Sequence, residues 1–139
     1  MTSYEGRCHC GAIGYTFHTR IVPQEWTLRA CQCSFCRAHA ALSASDPAGA
    51  IEFHEREAGA LERYRFGLRT ADFLLCRRCG VYIGALIETP RGRYGIVNVH
   101  ALRPLPTGLG APAAMDYGAE TSGDRIARRE ERWTPVTAA

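Results

Sequence analysis

Cys8-His9-Cys10-Gly11 and Cys76-Arg77-Arg78-Cys79-Gly80 are the two stretches that decide the fold of this chain. Cysteines two or three positions apart place two thiolates within reach of one metal ion. Each stretch ends in glycine, which tolerates positive φ and lets the chain turn tightly, so that backbone N–H groups can approach the thiolates. Together the stretches predict one closed tetrahedral zinc site that holds the structure together. Its predicted ligands are Cys8, Cys10, Cys76 and Cys79.

A third cluster, Cys31-Gln32-Cys33-Ser34-Phe35-Cys36, has no cysteine left to complete a tetrahedron, because the chain contains seven. A zinc ion with an open position can deprotonate an incoming thiol or polarise a carbonyl, so this cluster predicts a reactive site with a second, labile Zn²⁺. The predicted ligands and catalytic groups are Cys31, Cys33 and Cys36. Candidates for a fourth ligand are His39, His9 and His54. The alternatives are a second structural site completed by His39 and a set of reduced thiols without metal.

Composition restricts the class of protein. The chain has 139 residues, enough for one domain, and 46% of them are hydrophobic. The net charge of +3 favours small anionic ligands, but the arginines do not form the basic stripe of a nucleic-acid-binding protein. Four thiolates leave a zinc site with a charge of about −2, which Arg7, Arg77 and Arg78 are placed to offset.

The location of the protein is predicted from what its sequence lacks. No apolar run approaches the roughly 20 residues of a membrane span. The first residues do not have the basic and then apolar pattern of a signal peptide. Thiols spaced for metal binding are typical of a reducing compartment, so we expect a cytoplasmic protein.

Alternating apolar residues predict a mainly β fold. Alternation is present over residues 13–17, 26–30, 51–53 and 61–66, and the apolar stretches at 73–75, 81–87 and 94–99 are also predicted strands. Turn residues separate these segments. A loop rich in Pro and Gly covers residues 104–112. Thr121, with Asp124 three positions later, predicts a short C-terminal helix whose apolar face holds Ile126 and Trp133. We expect twisted antiparallel sheets of zinc-ribbon character, with a short C-terminal helix, held together by metal.

The order of the three cysteine groups resembles the glutathione-dependent formaldehyde-activating (GFA) family, which includes proteins similar to centromere protein V. The resemblance is carried by Gly6-x-Cys8-His9-Cys10-Gly11, then Cys31-x-Cys33-Ser34-x-Cys36-Arg37, then Phe73-x-x-Cys76-x-x-Cys79-Gly80, with 97–102 as the family's terminal strand. It implies the β-tent fold, which a Rab-binding exchange chaperone shares. It also implies the same division of the cysteines into a structural and a second zinc site. On this reading residues 1–139 are a single zinc domain with a core at about 4–103 and a C-terminal loop and helix at 104–139.

The resemblance also implies an activity. Founding members join formaldehyde to glutathione, giving S-hydroxymethylglutathione, and act as carbon–sulfur lyases in the reverse direction. The implied partners are therefore a small thiol such as glutathione and a small aldehyde, and Arg37, Arg69 or Arg93 would clamp a glutathione carboxylate. The tail at 125–136 is similar to that of a bacterial subgroup without a defined substrate.

Two other functions remain open on the sequence. One is a non-enzymatic zinc module in protein interaction, as in the centromere-associated relative. The other is a disulfide oxidoreductase, which is disfavoured because the flanks of Cys76 and Cys79 are predicted strands rather than a helix start. Exposed edge strands would also allow a homodimer.

Overall fold

The computed structural model describes residues 1–139, and strands dominate it. The strands are β1 (Thr2–Arg7), β2 (Ile13–Thr19), β3 (Arg29–Cys31), β4 (Ser43–Ala44), β5 (Ala50–Glu55), β6 (Leu61–Tyr64), β7 (Asp72–Cys76), β8 (Tyr82–Thr89), β9 (Gly92–Asn98), β10 (Ala113–Met115) and β11 (Thr134–Ala138). The α-helices are α1 (Ser34–His39) and α2 (Ser122–Arg132), and 3₁₀ turns cover Pro23–Glu25 and Val99–Ala101. The predicted mainly β class with a short C-terminal helix is confirmed. Neither α-helix has the length and apolar character that crossing a bilayer requires.

The strands form one open mixed sheet. Its main path runs β1-β2-β5-β11-β9-β4-β3-β10, and β6, β7 and β8 join it by pairing of β8 with β9. Most pairs are antiparallel, as predicted, but β10 runs parallel to β3, and β11 runs parallel to β5. Parallel pairing needs a long connection. The chain between the partners supplies it in both cases, and neither β10 nor β11 was predicted.

Each cysteine group belongs to its own hydrophobic core. The larger core contains Cys8 and Cys76 together with buried side chains of β2, β5 and β8 such as Tyr15 and Ile51. The smaller core contains Cys36, Phe73, Tyr82 and Trp133, with Cys31 and Cys33 packed against it. Burial of apolar area contributes about 25 cal/mol per Å² and rigidifies what it surrounds. The sulfur atoms are therefore held by packed side chains as well as by their turns.

Helix α2 begins where the sequence predicts and packs differently from the prediction. The Thr121 hydroxyl accepts a hydrogen bond from the Asp124 N–H at 3.1 Å, which is the predicted cap. Trp133 is buried but lies just beyond the last helical residue, and Ile126 is only half-buried. The buried residue within the helix is Arg129, so the inner face is not purely apolar.

Candidate metal centres

Four cysteine sulfurs from opposite ends of the sequence meet in one group. They belong to Cys8, Cys10, Cys76 and Cys79 and lie within 4.8 Å of one another. The Cys8 and Cys10 Sγ atoms are 3.7 Å apart, and those of Cys10 and Cys76 are 3.6 Å apart. A tetrahedral zinc ion with bonds of about 2.3 Å sets its sulfurs about 3.8 Å apart. The spacing therefore fits a divalent metal and excludes disulfides, in agreement with seven free cysteines.

Two matching turns aim these sulfurs. Gly11 has φ of 83° and Gly80 has φ of 81°, the left-handed conformation predicted from their positions. In the first turn the Ile13 N–H donates to Cys8 Sγ at 3.4 Å, and in the second the Cys79 N–H donates to Cys76 Sγ at 3.4 Å. Both turns close hairpins, β1–β2 and β7–β8. A shared ion would therefore tie two hairpins that lie apart in the sheet order.

The arginines beside the four-cysteine group have other partners. Arg77 forms an ion pair with Glu62, and Arg78 forms one with Glu57. These carboxylates share the arginine charge that the sequence assigns to the metal site. The pKa of Arg78 is raised mainly by Glu57, and Cys10 and Cys76 act on it in the same direction. Backbone N–H groups are the donors in contact with the thiolates. Because an N–H dipole carries no counter-ion, it offsets thiolate charge without a competing carboxylate.

The other three cysteines lie close together in the sequence, where strand β3 ends and helix α1 begins. Cys31 ends β3, Cys33 is the N-cap of α1, and Cys36 lies inside α1. The Cys33 Sγ accepts the Cys36 N–H at 3.4 Å, and the three sulfurs lie within 4.8 Å of one another. Cys36 is buried, whereas Cys31 and Cys33 are half-buried. This group has three donors and remains open to a further ligand. The sequence did not predict α1, the helix that positions two of the thiols.

The thiols in each group hold protons unequally. The hydrogen bond with Cys36 lowers the pKa of Cys31 to about 5, and the same contact raises the pKa of Cys36 far above its ordinary value. In the four-cysteine group burial raises the pKa of Cys76 to about 11. Burial acts in the same direction on Cys79, but N–H groups at Cys10 and Val81 and neighbouring thiols lower its pKa to about 6. Adjacent thiolates repel, so full ionisation of either group requires a cation among the sulfurs.

The histidines considered as a fourth ligand have other environments. The His39 ring packs on Phe35 with centroids 4.4 Å apart, and it does not belong to the three-sulfur group. His54 makes a hydrogen bond with Thr16 at 2.7 Å, and His9 is exposed. The structure therefore brings no histidine into the three-cysteine group.

Tyr82 is a residue beside this group that the sequence did not single out. Its side chain is 1% exposed, and its hydroxyl has no hydrogen-bond partner. Burial raises its pKa well above the ordinary value, and charge at Cys36, Cys33 and Cys31 acts in the same direction. The hydroxyl is therefore a protonated donor. An unpaired buried donor costs about 1–3 kcal/mol, so this hydroxyl is a candidate for contact with a ligand of the site.

A cavity of about 130 Å³ opens beside Cys33. Its lining includes the apolar residues Phe66, Ala71 and Phe73, and it also includes Arg125, Arg128 and Arg129 of α2. Of the arginines predicted to clamp a carboxylate, Arg37 lines a second cleft beside Cys31 and Cys36, on which His100 also lies. Arg69 and Arg93 line neither cleft. The sequence missed the α2 arginines because a helix of alternating charges is typical of an exposed surface.

Comparison with known proteins identifies the family of this chain. Residues 3–115 match the model of the family described as glutathione-dependent formaldehyde-activating enzyme. The chain belongs to the GFA family. A crystal structure of a Rhodobacter sphaeroides protein is similar, with 30% identity, a TM-score of 0.59 and coverage of 80% of this chain and 99% of that chain. No curated protein sequence gives a significant match.

The match to the GFA family ends at residue 115, before helix α2. All seven cysteines lie within residues 3–115, whereas α2 and its arginines lie beyond it. The sulfur groups therefore lie in the part of the chain that matches the family. The charged wall of the cavity is contributed by the part of the chain outside the match.

Proposed function

We propose that this protein is a zinc-dependent enzyme that forms or cleaves the adduct of a thiol and a small aldehyde. By family, the reaction resembles S-(hydroxymethyl)glutathione synthesis, which is carbon–sulfur lyase chemistry in the reverse direction. The observation that carries the proposal is the three-sulfur group, which is open to a further ligand and borders a cavity at Cys33. A purely structural site would be closed by a fourth protein ligand.

The four-cysteine group is proposed as the structural zinc site. Its sulfur spacing of 3.6–3.7 Å suits tetrahedral zinc, and its turns donate N–H groups to two of the sulfurs. Zinc binding contributes folding free energy, because the site does not exist in the unfolded chain. The role assigned to Cys8, Cys10, Cys76 and Cys79 is to join the β1–β2 hairpin to the β7–β8 hairpin.

The three-cysteine group is proposed as the reactive site. Three convergent thiols and the unpaired Tyr82 hydroxyl beside them suit a metal ion with one further ligand. Zinc bound there would supply Lewis-acid character and keep a bound thiol ionised near neutral pH. Cys31, Cys33 and Cys36 would hold it, while Tyr82 keeps its proton and donates a hydrogen bond within the site.

The addition itself conserves atoms and charge. The thiol loses its proton to the surrounding water, and the thiolate sulfur attacks the carbonyl carbon. As the C–S bond forms, the electron pair of the C=O π bond moves to oxygen, which takes one proton back, so the net change is addition of S–H across C=O. Phe66 and Phe73 form an apolar wall beside Cys33. This wall would exclude water, which competes with the thiol for the aldehyde. Holding both reactants side by side at the three-cysteine group would remove much of the entropic barrier.

The proposal is tested by following adduct formation between glutathione and formaldehyde by NMR, with and without protein. We expect acceleration over the spontaneous reaction, loss of acceleration in Cys33→Ser, and retention in Ser34→Ala, which changes an exposed neighbour without removing a sulfur. No acceleration by the folded, metal-containing wild type would contradict the enzymatic function. It would favour the alternative of a zinc module in protein interaction.

We also propose a cytoplasmic location, which the absence of disulfides among seven cysteines supports.

A further inference from the structure

Arg129 is a buried cation without a counter-ion. Arg129 is 7% exposed, and no carboxylate forms an ion pair with it. One guanidinium nitrogen donates to the Thr70 hydroxyl at 2.8 Å, and Nε has no partner. Its Cζ lies 4.7 Å from the centre of the Trp133 ring, which holds it in place. A buried charge without a partner is costly, so such a residue calls for a functional explanation.

The neighbouring arginines differ in this respect. Arg128 donates twice to Glu120, at 2.7 and 3.0 Å, and Arg125 donates to it at 3.3 Å. Asp116 is the only acidic residue lining the cavity, and its carboxylate accepts the Gly118 N–H at 2.9 Å. The cavity wall therefore keeps net positive charge, centred on Arg129.

The cation and the reactive sulfur face one cavity. Arg129, Thr70 and Cys33 all line it, with Gln32 beside them. A volume of about 130 Å³ is small compared with the roughly 300–1,000 Å³ of pockets that enclose whole ligands. The cavity thus suits one compact anionic group attached to the molecule that reacts at the cluster. Arginine prefers planar carboxylates, because its guanidinium presents parallel N–H groups.

We propose that Arg129, with Thr70, forms a carboxylate-binding subsite beside the three-cysteine cluster and determines which reactants are accepted. The subsite rests on the proposed function, since its ligand is one of the two reactants. The carboxylate belongs either to the aldehyde, as in an aldehyde whose carbonyl carbon bears a carboxylate, or to the thiol, as in glutathione. The ligand chemistry is the same in both cases.

A competing explanation exists for the same charge. Three thiolates around one divalent cation leave a net charge of about −1, and Arg129 could serve only to offset it. That role would tie Arg129 to metal affinity rather than to ligand affinity. The two explanations therefore differ in a measurable way.

The test is calorimetric titration of purified, metal-containing protein with glyoxylate and, separately, with glutathione. Arg129→Gln should weaken binding of at least one of them about tenfold or more, and Arg129→Lys should recover part of the loss. Arg132→Gln is the matched control, an exposed arginine on the same helix, and should bind like the wild type. Loss confined to glyoxylate assigns the carboxylate to the aldehyde, and loss confined to glutathione assigns it to the thiol.

Unchanged affinity for both compounds in a folded Arg129→Gln protein would overturn the subsite. Reduced zinc content with unchanged ligand affinity would do the same and would identify charge compensation as the role of Arg129. If the variant does not fold, the NMR signal of the Arg129 Nε–H in the wild type decides the matter. It should shift on addition of glyoxylate or glutathione, and a signal that stays in place while either compound binds would contradict the subsite.

The same measurements distinguish failure of the proposed function from failure of the subsite. Carboxylate binding that depends on Arg129, without any acceleration of adduct formation, would support the subsite and contradict the proposed enzymatic function. Acceleration that is equal in the wild type and Arg129→Gln, with equal ligand affinities, would support the enzymatic function and contradict the subsite.

Discussion

At the scale of single residues, backbone conformation at two glycines decides where the structural sulfurs point. Gly80 has φ of 81°, and a Cβ added there would meet no atom within 4 Å. Space is therefore not the constraint at this position. The constraint is the left-handed conformation itself, which costs a residue with a Cβ roughly 1–2 kcal/mol.

Gly80→Ala should accordingly lower the free energy of unfolding by about 1–2 kcal/mol. Chemical denaturation of the metal-containing protein measures this. Gly110→Ala is the matched control, because a Cβ there also meets nothing within 4 Å and its φ is not in the left-handed range. Equal stability of the two variants would show that the conformation at Gly80 is not what matters.

Tyr82 provides a second prediction at this scale. Because its hydroxyl is buried without a partner, Tyr82→Phe should leave the free energy of unfolding unchanged or raise it by about 1 kcal/mol. The rate of adduct formation should fall, since the donor in the reactive site is lost. A clear loss of stability would indicate that the hydroxyl has a structural partner, and an unchanged rate would remove it from the proposed chemistry.

At the scale of elements, α2 brings the last part of the chain to the cavity beside the three-cysteine group. Its arginines line the cavity, and Glu120, just before the helix, joins Arg125 and Arg128. The hydrogen bond from Arg128 holds the pKa of Glu120 below its ordinary value of 4.5. A lowered carboxyl pKa means that ionised Glu120 stabilises the fold above the ordinary pKa and that this contribution is lost as pH falls below it.

The measurement is urea unfolding of the wild type and Glu120→Gln between about pH 6 and about pH 3. The wild type should be more stable at the upper end, and the difference between the two proteins should shrink as pH falls below 4.5. The difference is the relevant quantity, because acid also protonates the cysteines of both proteins. A difference that is independent of pH would contradict the pairing.

At the scale of the whole molecule, the two sulfur groups pack in two different cores, and different roles are proposed for them. The four-cysteine group, proposed to join two hairpins through zinc, lies in the larger core. The three-cysteine group lies against the smaller core and borders the cavity. This division predicts that loss of a cysteine has different consequences in the two groups.

Cys76→Ser should unfold or aggregate the protein. Binding of structural zinc contributes about 10–16 kcal/mol in small domains, while whole domains are stable by only about 5–15 kcal/mol. Cys33→Ser should retain the fold and lose activity and metal at the second site. Circular dichroism and metal analysis of both variants provide the comparison, and similar behaviour would refute the division into structural and reactive sites.

The sequence was sufficient for the part of the molecule that local spacing controls. The grouping of the cysteines, the glycine turns and the Thr121 cap follow from neighbours along the chain, and the structure has each of them. Helix α1 was missed because its six residues are too few to show helical periodicity. Strand β11 and the position of Arg129 depend on where a distant segment docks, and no local pattern encodes that.

Tyr82 also shows that local sequence patterns do not encode how distant segments pack. In the sequence it is one position of an apolar predicted strand and is indistinguishable from a core aromatic. Only the packing of β8 against α1 and β7 shows that its hydroxyl lacks a partner beside three thiols. Functional polar atoms of this kind become visible when every buried donor is matched to an acceptor.

The most direct measurement of the central claim is the zinc content of wild-type protein purified without added metal, combined with titration of its thiols. Sulfur coordination predicts about one to two zinc ions per chain, because the second ion is labile. The cysteines of the four-cysteine group should react only after the metal is chelated, and the sheet should unfold when the last ion leaves. A folded protein without metal, in which all seven cysteines titrate freely, would contradict the account.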